Sequence, residues 1–169
     1  MENPQVLIIM GSDSDVPVME EAAKALDAFG VTWEMRVASA HRSPKKAAGL
    51  ASAAGARGMK GIIAGAGVAA HLAGVLAAET ILPVIAVPMP GGALNGVDAL
   101  YSMVQMPGGI PVATMAIGKA GAKNAGLFAV QILALGDAAM ARKLVEYKAA
   151  MAEEVEARDR DLQARLGRM

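Results

Sequence analysis

The chain has no cysteine among its 169 residues, which excludes thiol nucleophiles, disulfides and cysteine-based zinc sites and leaves nothing that points to an oxidising compartment. It has little aromatic content, with one Trp, two Tyr and two Phe. Ala and Gly are abundant instead, and a core poor in large side chains often gains burial by oligomerising, so an assembly is expected. Net charge is missing too: sixteen Lys and Arg balance sixteen Asp and Glu, so no long-range field attracts nucleic acid or an acidic membrane, and any anion must be held locally.

Other absences narrow the chemistry. Two histidines without a carboxylate cluster make a poor ligand set, and no metal site is expected. There is no Gly-x-x-x-x-Gly-Lys-Ser/Thr loop, no dinucleotide fingerprint after the first strand and no Gly-x-Ser-x-Gly elbow, so neither a P-loop enzyme, a nicotinamide enzyme nor an α/β-hydrolase is supported. The longest apolar stretch, Gly61 to Ala78, is Gly-rich, interrupted by His71 and soon followed by Glu79 and Pro83. It reads as strand, loop and helix, not as a membrane span. The start, Met1-Glu2-Asn3-Pro4, lacks the basic and then apolar regions of a signal peptide, and the cytoplasm is the expected location.

What is present alternates regularly. Apolar runs at Val6 to Met10, Trp33 to Val37, Gly61 to Ala64, Pro83 to Val87 and Pro111 to Ile117 read as five buried parallel strands. Between them, helical spacing runs from Asp15 to Gly30 and from Ser43 to Gly58, then over roughly Ala69 to Glu79, Val97 to Val104 and Ala122 to Leu135. Ser14 or Asp15 is placed to cap the first helix, and Ser43 the second. Beyond Gly136-Asp137 the composition turns to Glu, Arg, Lys and Ala, as in one or two exposed helices with a single packing stripe. The expected fold is an α/β three-layer αβα sandwich with a flavodoxin-like parallel five-stranded sheet of order 2-1-3-4-5. It forms a single domain over 1–169 with a C-terminal helical extension over about 137–169.

Two polar loops end neighbouring strands in this scheme. Gly11-Ser12-Asp13-Ser14-Asp15 combines a glycine that permits close backbone approach, two hydroxyls, a helix start and a carboxylate able to accept from ribose hydroxyls. Capping alone also accounts for Ser14 and Asp15. Ser39-Ala40-His41-Arg42-Ser43-Pro44 adds a guanidinium fork for phosphate and an imidazole suited to moving protons near neutral pH. His71, the other histidine, follows the small-residue loop Gly65 to Ala70, where a flat ligand can lie against backbone; a structural hydrogen bond and a catalytic role both fit it. Lys119 is a possible further anion partner, and Pro88 to Gly92 and Gln105 to Gly109 are possible further walls, although turn chemistry explains them adequately.

Six segments together resemble the class I PurE family, the N5-carboxyaminoimidazole ribonucleotide mutases of microbial purine biosynthesis. They are Met10 to Asp15, Ser39 to Pro44, Ala64 to Leu72, Gly96 to Ser102, Gln105 to Pro107 and Pro111 to Thr114, with Ala116 to Gly118 and Asn124 behind them. The resemblance implies a homo-octamer with active sites near subunit boundaries, a small-molecule ribonucleotide substrate and no cofactor. Carried onto this chain, His41 matches the family's catalytic histidine and Ser12, Asp15 and Arg42 its substrate-binding positions, while Ser14, Ser39, Gly67, His71 and Leu72 match pocket positions. The implied reaction moves a carboxylate from the exocyclic nitrogen to ring carbon 4. Decarboxylation and recarboxylation with His41 as proton carrier is the expected route. The alternatives are an aminoimidazole ribonucleotide carboxylase using carbon dioxide directly, against which Arg42-Ser43 after the histidine speaks, and a non-catalytic nucleotide-binding module. Val68, Ala73 and Ala86 depart from the family pattern, where Gly, Pro and Gly are usual. At positive φ, the β-branch of Val68 would strain its loop.

Overall fold

The computed structural model describes residues 3–167; the first two residues of the Met1–Pro4 start and the last two of the 1–169 span lie outside the described residues. Contacts divide the chain into two compact units, Met1–Val130 and Gln131–Met169. The first holds a five-stranded sheet built from β1 (Val6–Met10), β2 (Trp33–Val37), β3 (Gly61–Ala66), β4 (Val84–Pro88) and β5 (Ala113–Thr114). All pairings are parallel and the order is β2-β1-β3-β4-β5, as expected. β1 is central, pairing Val6 with Trp33 on one side and with Gly61 on the other, so the exits of β1, β2 and β3 lie side by side.

Burial explains the order. Every residue of β1, β3 and β4 is buried, as required of strands covered on both faces. β2 is an edge strand, none of whose residues is buried. It carries Glu34 and Arg36, and Glu34 is paired with both Arg36 and Arg57; charge on an edge blocks further strand pairing. The Trp33 indole N–H donates to Asp27 Oδ1 at 2.7 Å.

Helices cover both faces. α2 (Pro44–Ala54), α3 (Leu72–Ala78) and α4 (Val97–Val104) join one core with Leu7, Ile9, Ile62, Ala64 and Ala86. The helical side of that core is largely alanine, including Ala47, Ala51 and Ala54, and α2 packs chiefly against α3. On the other face, α1 (Val16–Ala28) brings Met19 so near Gly65 that a Cβ there would be 2.6 Å from the thioether sulfur. α5 (Lys119–Ala134) packs on α1 through Gly126, Ala22 and Ala25. The result is the expected three-layer αβα sandwich.

Several boundaries differ from the sequence reading. β5 has two residues instead of seven: it is an edge strand that pairs only with β4, through Ala113 and Thr114, although Met115 N–H still donates to Ala86 O at 2.8 Å. α3 starts at Leu72, so His71 stands at the helix entrance and not inside it. The first helix is entered through a short 3-10 turn, Asp13–Asp15, capped by Ser12. Asp15 makes no side-chain cap bond to α1, and Ser43 makes none to α2.

The second unit contains one 28-residue helix, α6 (Ala138–Arg165), whose first turn is capped by Asp137 Oδ1, accepting from Ala139 N–H at 2.9 Å and Met140 N–H at 3.0 Å. No residue of α6 is buried. Among the described residues no helix is long and apolar enough to cross a membrane.

Candidate active site

The exits of β1, β2 and β3 enclose a cavity of about 400 Å³. β1 contributes Gly11, Ser12 and Asp15; β2 contributes Ser39, Ala40, His41 and Arg42; β3 contributes the loop Ala66 to Ala69 with His71 and Leu72. Of the residues singled out in the sequence, Ser12, Asp15, Ser39, His41, Arg42, Gly67, His71 and Leu72 therefore line one space. Ser14 does not line it. Its hydroxyl donates to Ser12 Oγ at 2.9 Å and its N–H to the same oxygen at 3.3 Å, which holds the turn.

The loops after β4 and β5 do not line this cavity, and neither does Lys119. β4 and β5 lie beyond β3 from β1, so their loops stand farther from the point where the strand order reverses, which is where ligands sit in such sheets. Gly109 lines a separate, largely apolar cavity with Ile81, Leu82 and Pro111. Gly11, read as a point of close backbone approach, and Ala66 and Ala69, within the loop read as a bed for a flat ligand, also line the first cavity. Ala40 lines it too and was given no role in the sequence; its place between Ser39 and His41 was the only signal for it.

The β2 exit is held by its serines. Ser39 N–H donates to Ser43 Oγ at 2.9 Å, Ser43 Oγ donates to Ser39 O at 3.3 Å, and Arg42 N–H donates to Ser39 Oγ at 3.1 Å. Ser43 thus spends its hydroxyl on the loop instead of the helix end, folding Ser39 to Ser43 into a tight bend that exposes His41 and Arg42. The Arg42 guanidinium reaches across to Gly11 O at 3.4 Å, a long bond that joins the two polar loops. Among the described residues no carboxylate pairs with Arg42, so its fork stays available to an anion.

His41 Nε2 lies 2.8 Å from His71 Nδ1, with the rings edge to face at 83° and their centroids 4.9 Å apart. One nitrogen must donate and the other accept, so the contact needs a single proton between the two rings. If both rings were cationic, two N–H groups would face each other and the bond would be lost. The pair is thus a path along which a proton taken up by one imidazole can be matched by release from the other.

Asp15, half-buried beside Ser12, has its carboxyl pushed above the ordinary aspartate value by burial. The Ser12 backbone and the Ser14 hydroxyl pull it partly back, and neighbouring Asp13 adds to the rise. Such a group gains most from ligand hydroxyls, which supply the hydrogen bonds that water no longer provides.

Val68, at the outer edge of the β3 loop, has φ of 54°. A β-branched residue is an outlier there, at a cost on the order of 1–3 kcal/mol. The strain expected at positive φ is present.

Comparison with known proteins bears on the whole chain. The AIR carboxylase family matches residues 5–154. An N5-carboxyaminoimidazole ribonucleotide mutase of Mycobacterium tuberculosis is 51% identical over 168 residues, 99% of this chain and 95% of that protein. The mutase of Bacillus subtilis is 58% identical over 143 residues, covering 85% of this chain and 88% of its own length. The crystal structure of Treponema denticola PurE superimposes with a TM-score of 0.85 at 31% identity, covering 95% of this chain and 99% of that one.

Proposed function

The chain belongs to the AIR carboxylase family, and on that premise we propose how its cavity carries out the family's chemistry. The enzyme is an isomerase of purine biosynthesis that converts N5-carboxyaminoimidazole ribonucleotide to the 4-carboxy isomer. In the proposed binding mode the phosphate takes the Arg42 fork and the ribose hydroxyls donate to Asp15. Ser12, Ser39 and the backbone from Gly67 supply further polar contacts, and Leu72, only 2% exposed, floors the imidazole. Ser14 supports this site through Ser12.

Chemistry then proceeds in two steps. The bond from the exocyclic nitrogen to the carboxylate breaks; carbon dioxide leaves, and the nitrogen keeps the electron pair and takes a proton. Ring carbon 4 next attacks the carbon dioxide and loses its own proton, which restores the aromatic ring. Protons gained and lost balance, so one carrier in reach of both atoms suffices. His41 is that carrier, and no cofactor is required. A positioned acid–base group contributes about 10²–10⁴-fold, and confinement of both fragments replaces a bimolecular encounter with an intramolecular one. The single observation that carries this reading is the 2.8 Å His41–His71 contact inside a cavity that also holds Arg42 and Asp15.

The finer attributes of the protein belong to the same proposal. It is a cytoplasmic homo-octamer, a single PurE-like domain with 137–169 as its extension, which binds its nucleotide without nucleic-acid or membrane partners. Two unpartnered surfaces support assembly. Leu94, Val97, Tyr101 and Val104 form an exposed apolar stripe on and before α4, and α6 exposes Met151, Val155 and Leu162.

The test supplies purified protein with freshly made N5-carboxyaminoimidazole ribonucleotide and, separately, with aminoimidazole ribonucleotide and bicarbonate. Rapid conversion of the carbamate to the 4-carboxy product is expected. Conversion only from the second mixture would replace the mutase reading with a carboxylase, and binding without either conversion would leave a nucleotide-binding module.

A further inference from the structure

Val68 is the one large side chain in the run from Ala64 to Ala70, and its position is unusual in two ways. It lines the cavity and is nevertheless 58% exposed, so its isopropyl group stands on the rim between solvent and the reaction space. It is also held at φ of 54°, where glycine would sit without strain. A backbone outlier at a site is a reason to ask what it does.

The side chain reaches toward the next loop. A Cβ built on Gly92, in the loop that leaves β4, would lie 3.4 Å from Val68 Cγ2. Gly92 itself adopts φ of 65° and its neighbour Gly91 φ of 135°, so a side chain there would be strained. Val68 Cγ2 therefore stands beside Gly92 of the β4 loop, where neither Gly67 nor Ala69 carries a side chain beyond Cβ.

We propose that Val68 is a wall residue that closes the cavity mouth toward the β4 loop and retains carbon dioxide between bond cleavage and bond formation. The inference rests on the two-step reading above. Free carbon dioxide is uncharged and accepts hydrogen bonds only weakly, so the polar residues of the site cannot hold it as they hold the nucleotide. An apolar group that blocks the exit can. Val68 forms no bond in the reaction and acts through confinement.

The experiment follows the carboxyl carbon. N5-carboxyaminoimidazole ribonucleotide carrying ¹³C in its carboxylate is supplied with unlabelled bicarbonate and carbonic anhydrase, and mass spectrometry reads the label retained in the 4-carboxy product. Wild type is compared with Val68→Gly and Val68→Ala, and thermal midpoints are measured alongside. Label loss and free aminoimidazole ribonucleotide should rise several-fold in both variants, while Val68→Gly unfolds about 2–4 °C higher through release of the strain. Unchanged retention in both variants, with wild type turning over, would overturn the proposal and leave the mutase reading intact. Loss in Val68→Gly but not in Val68→Ala would assign the effect to loop backbone freedom and also overturn it. No conversion by wild type would overturn both this proposal and the reading beneath it.

Discussion

Replacing Gly126 by alanine reverses the usual effect of that substitution. Inside a helix, glycine to alanine is worth about 1 kcal/mol in favour of the variant, because glycine loses more backbone freedom on folding. At Gly126 a new Cβ would lie 2.6 Å from Ala22 O and 2.8 Å from Ala25 Cβ, and neither a helix carbonyl nor an alanine methyl can swing aside. α5 would have to withdraw from α1 by roughly half an ångström or more, with loss of dispersion contacts along the seam. Overpacking of this kind costs about 1–3 kcal/mol, at the upper end where backbone is struck. The net expectation is a loss of about 1–2 kcal/mol, a fall in thermal midpoint of about 2–8 °C for a chain of this size. Gly49→Ala is the control, since Gly49 lies in α2 with nothing within 4 Å of an added Cβ. It should gain about 0.5–1 kcal/mol. Urea unfolding followed by circular dichroism reads both signs in one assay. Gly126→Ala as stable as wild type, or Gly49→Ala less stable, would refute the packing argument.

Three further outcomes are expected at the active site. His41→Asn should lower turnover by about 10²-fold or more while product affinity, measured by calorimetry, changes little; persistence of turnover would remove His41 as proton carrier. His71→Phe keeps a ring but offers no acceptor, so turnover should fall about 3- to 10-fold, as for loss of one hydrogen bond. Its pH–rate profile should also shift relative to wild type, and a profile identical to wild type would reduce His71 to packing. Burial raises the Asp15 carboxyl above its ordinary value, so ionising it costs the folded state stability as pH rises through the raised value. Asp15→Asn should accordingly be more stable than wild type at neutral pH, with the advantage shrinking on acidification and gone below the ordinary aspartate value. Its ribonucleotide affinity should be weaker throughout the neutral range. Urea midpoints across pH and titration with the 4-carboxy product check the two halves, and an advantage that grew on acidification would reverse the assignment.

The family pattern, the five strands, their order and the two polar loops were legible from the sequence because each depends on local signals. Runs of β-branched and apolar residues make buried strands, helical spacing makes their covers, and a polar cluster at a strand exit marks a crevice. The same locality explains the errors. The length of β5 depended on how far an edge strand stays paired with β4, and the work done by Ser43 depended on the bend that brings Ser39 N–H to 2.9 Å from its hydroxyl. His41 and His71 are thirty residues apart, and nothing in their separate surroundings sets a distance between them. That distance follows from the sheet, in which β2 and β3 flank β1 and bring their exit loops to one crevice. Val68 is the sharpest case: its identity was plain in the sequence, but its φ is imposed by the turn from β3 to α3. A side chain's identity is local information, whereas the conformation it must accept is set by everything packed around it.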